Sequence, residues 1–404
     1  MDAVTAPDLS PASLTQGRVT LFSHAAEPPT LELLDLAERT VHVPFGEAGE
    51  GRTPDERVWV AEPTLPATGL WRFRVSMGGG VYDTPNEQRY YETDLRTLWL
   101  QDTQVFAYEP APYVAPARVI KVDAFKGSLP TRALYIYLPR GYDEQPDKHY
   151  PVLYMHDGQN CFETFVEDSY AGSWRADQVA NAQIASGKMR ECLIVGVSNG
   201  AAHRLTEYLP PYSSFEQKVP KVLKKKGKAN ESVRPAPVRV TGRADETFAY
   251  YQNEVAPYIK EHYRVLEGRE HTATCGSSMG GLFSAYLAWE HPEFAQHHAI
   301  MSASFWMTRT EAGTLATVER FRTAEPPNVR LWLGSGTGDP NSDSDDNMHS
   351  VIAARDALLA NGFTEGEIFR YYLDEGAIHH ESAWAARLDK VFGFLFPVEK
   401  KSKE

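Results

Sequence analysis

The run Cys275-Gly276-Ser277-Ser278-Met279-Gly280-Gly281 constrains this chain more than any other. It sets G-x-S-x-G, centred on Ser278, between a strand-like stretch at residues 270–275 and a helix-like stretch at residues 282–289. A serine at a sharp strand-to-helix turn stands exposed at the carboxyl end of a sheet, and side chains two positions to either side would collide across the turn. Gly276 and Gly280 remove those collisions. The order strand, turn, helix implies an α/β architecture with a mostly parallel, doubly wound sheet.

The same five-residue pattern occurs again at Gly196-Val197-Ser198-Asn199-Gly200, after the apolar run 192–197. The residues downstream of each serine separate the two. Ser198 leads toward Pro210 and Pro211, which break any long helix. Ser278 leads into Leu282, Phe283, Tyr286, Leu287 and Trp289 at helical spacing, ended near Pro292. Ser278 is therefore the candidate nucleophile, and Ser198 reads as a strand end over the sheet's carboxyl edge.

A nucleophilic serine needs a base, and the base needs an orienting acid. Residues 329–333 read as a strand ending in Gly334-Ser335-Gly336-Thr337-Gly338-Asp339, and residues 368–373 as the next strand, ending before His379-His380-Glu381. Sites on open α/β sheets lie past the carboxyl ends of strands. The expected set is Ser278, Asp339 and His379, with Asp343, Asp345 and Asp346 as competitors for the acid and His380 as competitor for the base. The acidic loop lacks the spacing of a calcium loop, so no metal is expected there. His297 and His298 read as the entry to a strand.

An oxyanion hole needs two backbone donors. One is the Met279 amide. The other is expected after the strand at residues 150–155, in His156-Asp157-Gly158-Gln159-Asn160, where the Gln159 amide is assigned and Gly158 is the alternative. His156 reads as a packing residue.

Several stretches together resemble the esterase family of α/β-hydrolases that includes enterochelin (siderophore) esterases, feruloyl esterases and the mycolyltransferases. They are residues 132–142, 151–162 with the H-D-G-Q-N core, 204–210, 253–264, 275–306, 332–339 and 376–384. The resemblance covers most of residues 115–398. It implies an α/β-hydrolase fold, the roles given above to Ser278, His379 and the amides of Gln159 and Met279, and Asp339 as acid through its G-T-x-D form.

The first 110 or so residues differ. Short β-rich runs at 17–22, 30–34, 39–43, 58–61, 69–75 and 98–100 alternate with turn signals, which predicts a small antiparallel sandwich. Trp71-Arg-Phe-Arg-Val and the tyrosines from Tyr82 to Tyr108 resemble an immunoglobulin-like early-set module, of the kind found before siderophore esterases and in glycogen-active enzymes. That likeness raises glycan binding through Trp71, Tyr82, Tyr90 or Tyr91, against a core role for the same rings. The Pro-rich residues 109–116 read as a stiff linker. Expected domains are 1–112, the sandwich, and 113–404, the hydrolase.

A net charge of −13 argues against nucleic acid as a partner. No apolar run is long enough to span a bilayer, and the N-terminus lacks the basic and apolar regions of a signal peptide. With Cys161, Cys192 and Cys275 in apolar runs, reduced and buried, the cytoplasm is expected. Residues 218–243 are rich in Lys and Arg and read either as a basic lid for an anionic substrate or as a solvated loop.

The function expected is a serine esterase needing no cofactor or metal, acting on a small-molecule ester, with a siderophore or similar small polyester as the substrate. Arg204, Trp174 and Trp306 flank predicted strand ends and are expected to line the pocket. The alternatives are a carbohydrate-related feruloyl or acetyl esterase, or a non-catalytic glycan-binding protein on a hydrolase fold. A homo-oligomer is compatible with the sequence.

Overall fold

A computed structural model describes residues 13–34, 39–52, 56–79, 81–83, 90–101, 103–110, 114–217, 222–226, 229–233, 237–338 and 345–398, with backbone only for 222–226 and 229–233. The chain divides into two compact units, Met1–Ala115 and Pro116–Glu404.

The first unit is a β-sandwich. One five-stranded sheet carries Thr30–Leu34 and Trp71–Gly78 at its centre, and a second carries Arg18–Ser23, Arg57–Ala61 and Thr97–Gln101. Alternate residues of both sheets meet in one core that includes Val19, Leu21, Leu31, Trp59, Phe73, Val75, Leu98 and Leu100, as period-2 strands require. Two of the rings considered for glycan binding belong to this core. Trp71 stacks on Phe73 at 4.5 Å and donates to the Leu95 carbonyl, and Tyr91 also stacks on Phe73, at 5.0 Å. Tyr82 and Tyr90 instead cover the Arg74 guanidinium.

The second unit holds an eight-stranded sheet. Its strands are β1 (Arg118–Phe125), β2 (Arg132–Leu138), β3 (Val152–His156), β4 (Leu193–Val197), β5 (Thr272–Ser277), β6 (His297–Met301), β7 (Arg330–Gly336) and β8 (Phe369–Asp374). Their spatial order is 1-2-4-3-5-6-7-8. Strand β2 runs antiparallel to its neighbours β1 and β4; every pairing from β4 through β8 is parallel. Both faces of the sheet are covered, which is why the central strands β3 and β4 read as nearly continuous apolar runs. On β3, Val152 and Tyr154 enter one core with the helix Met279–Glu290, while Leu153 and Met155 enter the other with Ala176–Ala185 and Glu381–Leu395.

The basic segment is not one irregular loop. Its backbone forms two short antiparallel ladders, Ser214–Gln217 with Val238–Thr241 and Val222–Lys226 with Ala229–Val233. All three cysteines are buried and free. No helix among the described residues is long and apolar enough to cross a membrane.

Candidate active site

The serine turn takes its shape from three glycines. A Cβ on Gly276 would lie 2.5 Å from the Gly280 backbone and 2.7 Å from the His156 ring, and one on Gly281 would lie 2.6 Å from the Met301 carbonyl. Gly280 is less confined, its nearest neighbour being the Asp157 carboxylate at 3.1 Å. The third glycine, Gly281, thus seats the helix against β6, a role the G-x-S-x-G pattern does not include. Ser278 itself has φ 56° and ψ −120°, outside the usual regions for a side-chain-bearing residue. Its backbone is pinned from both sides. The Ser278 amide donates to the Met301 carbonyl, and its carbonyl accepts from the Leu282 and Ser304 amides. Its Oγ hydrogen bonds to Ser304 Oγ at 3.3 Å.

His379 follows β8, and its Nδ1 lies 2.7 Å from Asp346 Oδ1. The expected acid, Asp339, lies outside the described residues, as do Asp343 and the rest of 339–344. Among the described residues, the carboxylate on the Nδ1 side of the imidazole is Asp346, one of the competitors that the sequence offers for the acid. Asp345 instead pairs with the exposed His349. The loop reaches His379 by turning through two left-handed residues, Asp346 (φ 46°) and Asn347 (φ 62°). Asn347 Nδ2 anchors the turn by donating to the Ser302 carbonyl at 2.7 Å.

The Asp346 side chain is fully buried. Its Oδ2 accepts from Ser302 Oγ at 2.7 Å, from the Gly336 amide and from Arg387 at 3.2 Å. Burial alone would raise its carboxyl. The bonds from His379, Ser302 and Gly336 and the Arg387 charge outweigh that and hold it below the usual carboxylate range. His379 stands edge-on to Trp384, ring centres 5.0 Å apart. His380 faces elsewhere: it caps the helix Glu381–Leu395 by accepting from the Ser382 amide.

Ser278 and His379 line one cleft of about 610 Å³, together with Gln159, Trp174, Arg204 and Tyr170. The Met279 amide is the first of its helix and so has no intrahelical acceptor. Gln159 lies in the turn Gly158–Asn160, which packs directly on β4, since a Cβ on Gly158 would meet Gly196 at 2.4 Å. Arg204 lines the cleft as expected but is already paired. Its Nε and Nη2 grip Asp157 at 2.7 and 2.8 Å. Burial would lower the guanidinium's proton affinity, and the Asp157 carboxylate more than restores it.

Trp174 is buried and packs on Trp384, ring centres 5.5 Å apart. Trp306 is not part of the cleft. The turn Phe305–Thr308 carries it outward, 51% exposed, with Nε1 donating to Asn347. Ser198 lines the cleft just past the end of β4, where its carbonyl accepts from Arg132 Nη1 at 3.3 Å. His156 is a packing residue: Nδ1 meets the Tyr251 hydroxyl at 3.0 Å, and burial lowers its pKa to about 3. Glu381 also lines the cleft, next to Asn160, which bonds its Oε1 at 3.2 Å; burial raises its carboxyl. The sequence offered one sign of it, its place two residues after His379. No group of three or more His, Cys, Asp or Glu side chains among the described residues is arranged to hold a metal.

A serine hydroxyl, an imidazole oriented by a buried carboxylate and two amides can together perform acyl transfer. A family model described as "Putative esterase" matches residues 130–395. The uncharacterized protein YbbA of Bacillus subtilis is 20% identical over 280 residues, covering 67% of this chain and 97% of that protein. A solved ferulic acid esterase superposes with a TM-score of 0.51 at 20% identity, covering 70% of this chain and all of the other, which shows the α/β-hydrolase fold. The enterobactin esterase of Shigella flexneri aligns over 94% of this chain and 93% of its own at 14% identity, TM-score 0.49.

Proposed function

The chain belongs to this esterase family, and from that premise we propose that it hydrolyses carboxylic esters through an acyl-enzyme on Ser278, with His379 as base and Asp346 as orienting acid. The observation that carries the assignment is the 2.7 Å bond between His379 Nδ1 and Asp346 in the cleft that also holds Ser278. Ser278 Oγ leaves Ser304, gives its proton to His379 Nε2 and attacks the ester carbonyl carbon. Hydrogen bonds of this kind tighten only once substrate is bound. The Gln159 and Met279 amides receive the developing oxyanion, helped by the positive end of the helix Met279–Glu290. His379 then protonates the leaving alcohol, and water, deprotonated by His379, releases the acid.

The cleft favours a compact acyl group, because about 610 Å³ holds one small ligand and Trp174 and Trp384 offer flat walls. Arg204, the one arginine lining it among the described residues, is neutralised by Asp157. That balance supports an uncharged ester with an aromatic acyl group, of the feruloyl type, over a multiply anionic iron–siderophore complex. A siderophore-type polyester remains the second substrate to assay, one arm entering at a time.

The test is hydrolysis of p-nitrophenyl acetate, methyl ferulate and a siderophore-type triester by the wild type and by Ser278→Ala. Ser278→Ala should stay folded and lose several orders of magnitude in kcat. A Ser278→Ala protein with full activity would transfer the nucleophile's role to Ser198. Turnover of the triester well above methyl ferulate would reverse the substrate order.

A further inference from the structure

Arg387 sits in the middle of the helix Glu381–Leu395 with its side chain completely buried. Its Nη2 donates to Ser302 Oγ at 2.7 Å and to Asp346 Oδ2 at 3.2 Å, and its Nη1 lies 3.6 Å from Asp374 Oδ2. Nε has no hydrogen-bond partner among the described residues. A buried guanidinium with an unpartnered N–H is costly, and an apolar side chain would fill the space more cheaply. Stability alone therefore does not account for an arginine here.

We propose that Arg387 is a positioning residue that sets the protonation balance of the Ser278–His379–Asp346 site, an assignment that rests on the esterase reading above. Arg387 links Asp346, which bonds His379, to a second carboxylate, Asp374, so that minus, plus and minus charges are in successive contact. These three charges and a neutral His379 sum to −1, and to zero when His379 carries the serine's proton. With Arg387 absent, Asp346 would lose the positive charge on its Oδ2, and the negative charge next to His379 would have no counter-charge from that side. Arg387 also holds Ser302 in place. Ser302 has φ 44° and accepts from Trp384 Nε1 at 3.1 Å while donating to Asp346, so one hydroxyl couples the helix to the acid.

Among the described residues, several other charged groups near the site have partners of their own. Asp345 is paired with His349, and Asp157 with Arg204. Glu381 faces the cleft beside Asn160. The contacts from the ends of β6 and β7, Ser302 Oγ and the Gly336 amide, are uncharged. Lys390, on the same helix, is exposed and paired with Asp389.

The readout is the pH profile of kcat/KM on p-nitrophenyl acetate from pH 5 to 9. Arg387→Gln should move the acidic limb up by about one pH unit and lower the plateau. Arg387→Lys should return the limb to within a few tenths of a unit of wild type, about what a retained charge predicts. Asp374→Asn should move the limb the opposite way, to lower pH. Should Arg387→Gln fail to fold, Asp374→Asn decides alone. A lower plateau with an unmoved limb in both variants would reduce Arg387 to a packing residue. A wild type inert toward every ester would instead sink the esterase reading, and this assignment with it.

Discussion

Asp346→Asn is the substitution that most directly tests the acid. Four donors converge on this carboxylate: His379 on Oδ1, and Ser302, the Gly336 amide and Arg387 on Oδ2. An amide offers one acceptor oxygen and one NH₂ donor. Three donors, one of them charged, outcompete one, so the new oxygen should turn to Ser302, Gly336 and Arg387. The NH₂ then faces His379 Nδ1 and forces the ring proton onto Nε2, where the base must be free. The same replacement in a serine protease triad costs about 10⁴ in kcat, or ~5.4 kcal/mol of transition-state stabilisation. The fold also loses a counter-charge to Arg387, and the loss should stay below the ~3–5 kcal/mol of a wholly unpaired buried ion because Asp374 remains 3.6 Å away. The assay is steady-state hydrolysis of p-nitrophenyl acetate beside a thermal melt. Asp346→Asn should lose about four orders of magnitude in kcat with KM little changed, and Asp339→Asn should stay within about twofold of wild type. Asp339→Asn as inactive as Ser278→Ala, or Asp346→Asn keeping a tenth or more of wild-type kcat, would refute the assignment.

Acid should weaken the fold through its buried histidines. Burial lowers the pKa values of His156 and His298 to about 3 and that of His297 to about 4, each from the ordinary 6.5. The unfolded chain binds these protons more readily, so their contribution is complete above the unfolded value and is lost as pH falls toward the folded ones; at pH 5 each should cost about 2 kcal/mol. Glu381, its carboxyl raised, opposes this in part. Urea midpoints at pH 7.5 and 5.0 check the sum, and an unchanged midpoint would contradict it. Glu207→Ala should destabilise by ~3–5 kcal/mol, because it strands the buried Arg132 guanidinium, which makes two 2.9 Å bonds to Glu207. A melting temperature within a degree or two of wild type would show that the pair contributes little.

Much of this protein is legible in short stretches of sequence. Strand positions in both units and the serine turn follow from apolar periodicity and from glycines whose reasons are local steric ones. His379 is separable from His380 only in the structure, where a helix start occupies the second ring. Trp306 was expected in the cleft because it follows a strand end, yet one short turn after Ser304 points it outward. Arg387 gave no signal at all, since an arginine on an amphipathic helix ordinarily extends its head to solvent.

The sequence by itself determined the α/β-hydrolase sheet, the preceding sandwich and the sharp serine turn, because each depends on neighbours a few residues apart. Tertiary structure alone brought the Asp346 carboxylate against the His379 ring. The G-T-x-D pattern pointed to Asp339, where the loop leaves β7. The carboxylate that reaches the imidazole is Asp346, because Asn347 ties the returning loop to Ser302 and because Gly336, Ser302 and Arg387 together hold its second oxygen. Those partners come from β6, β7 and the last helix, and no spacing along the chain encodes that they meet.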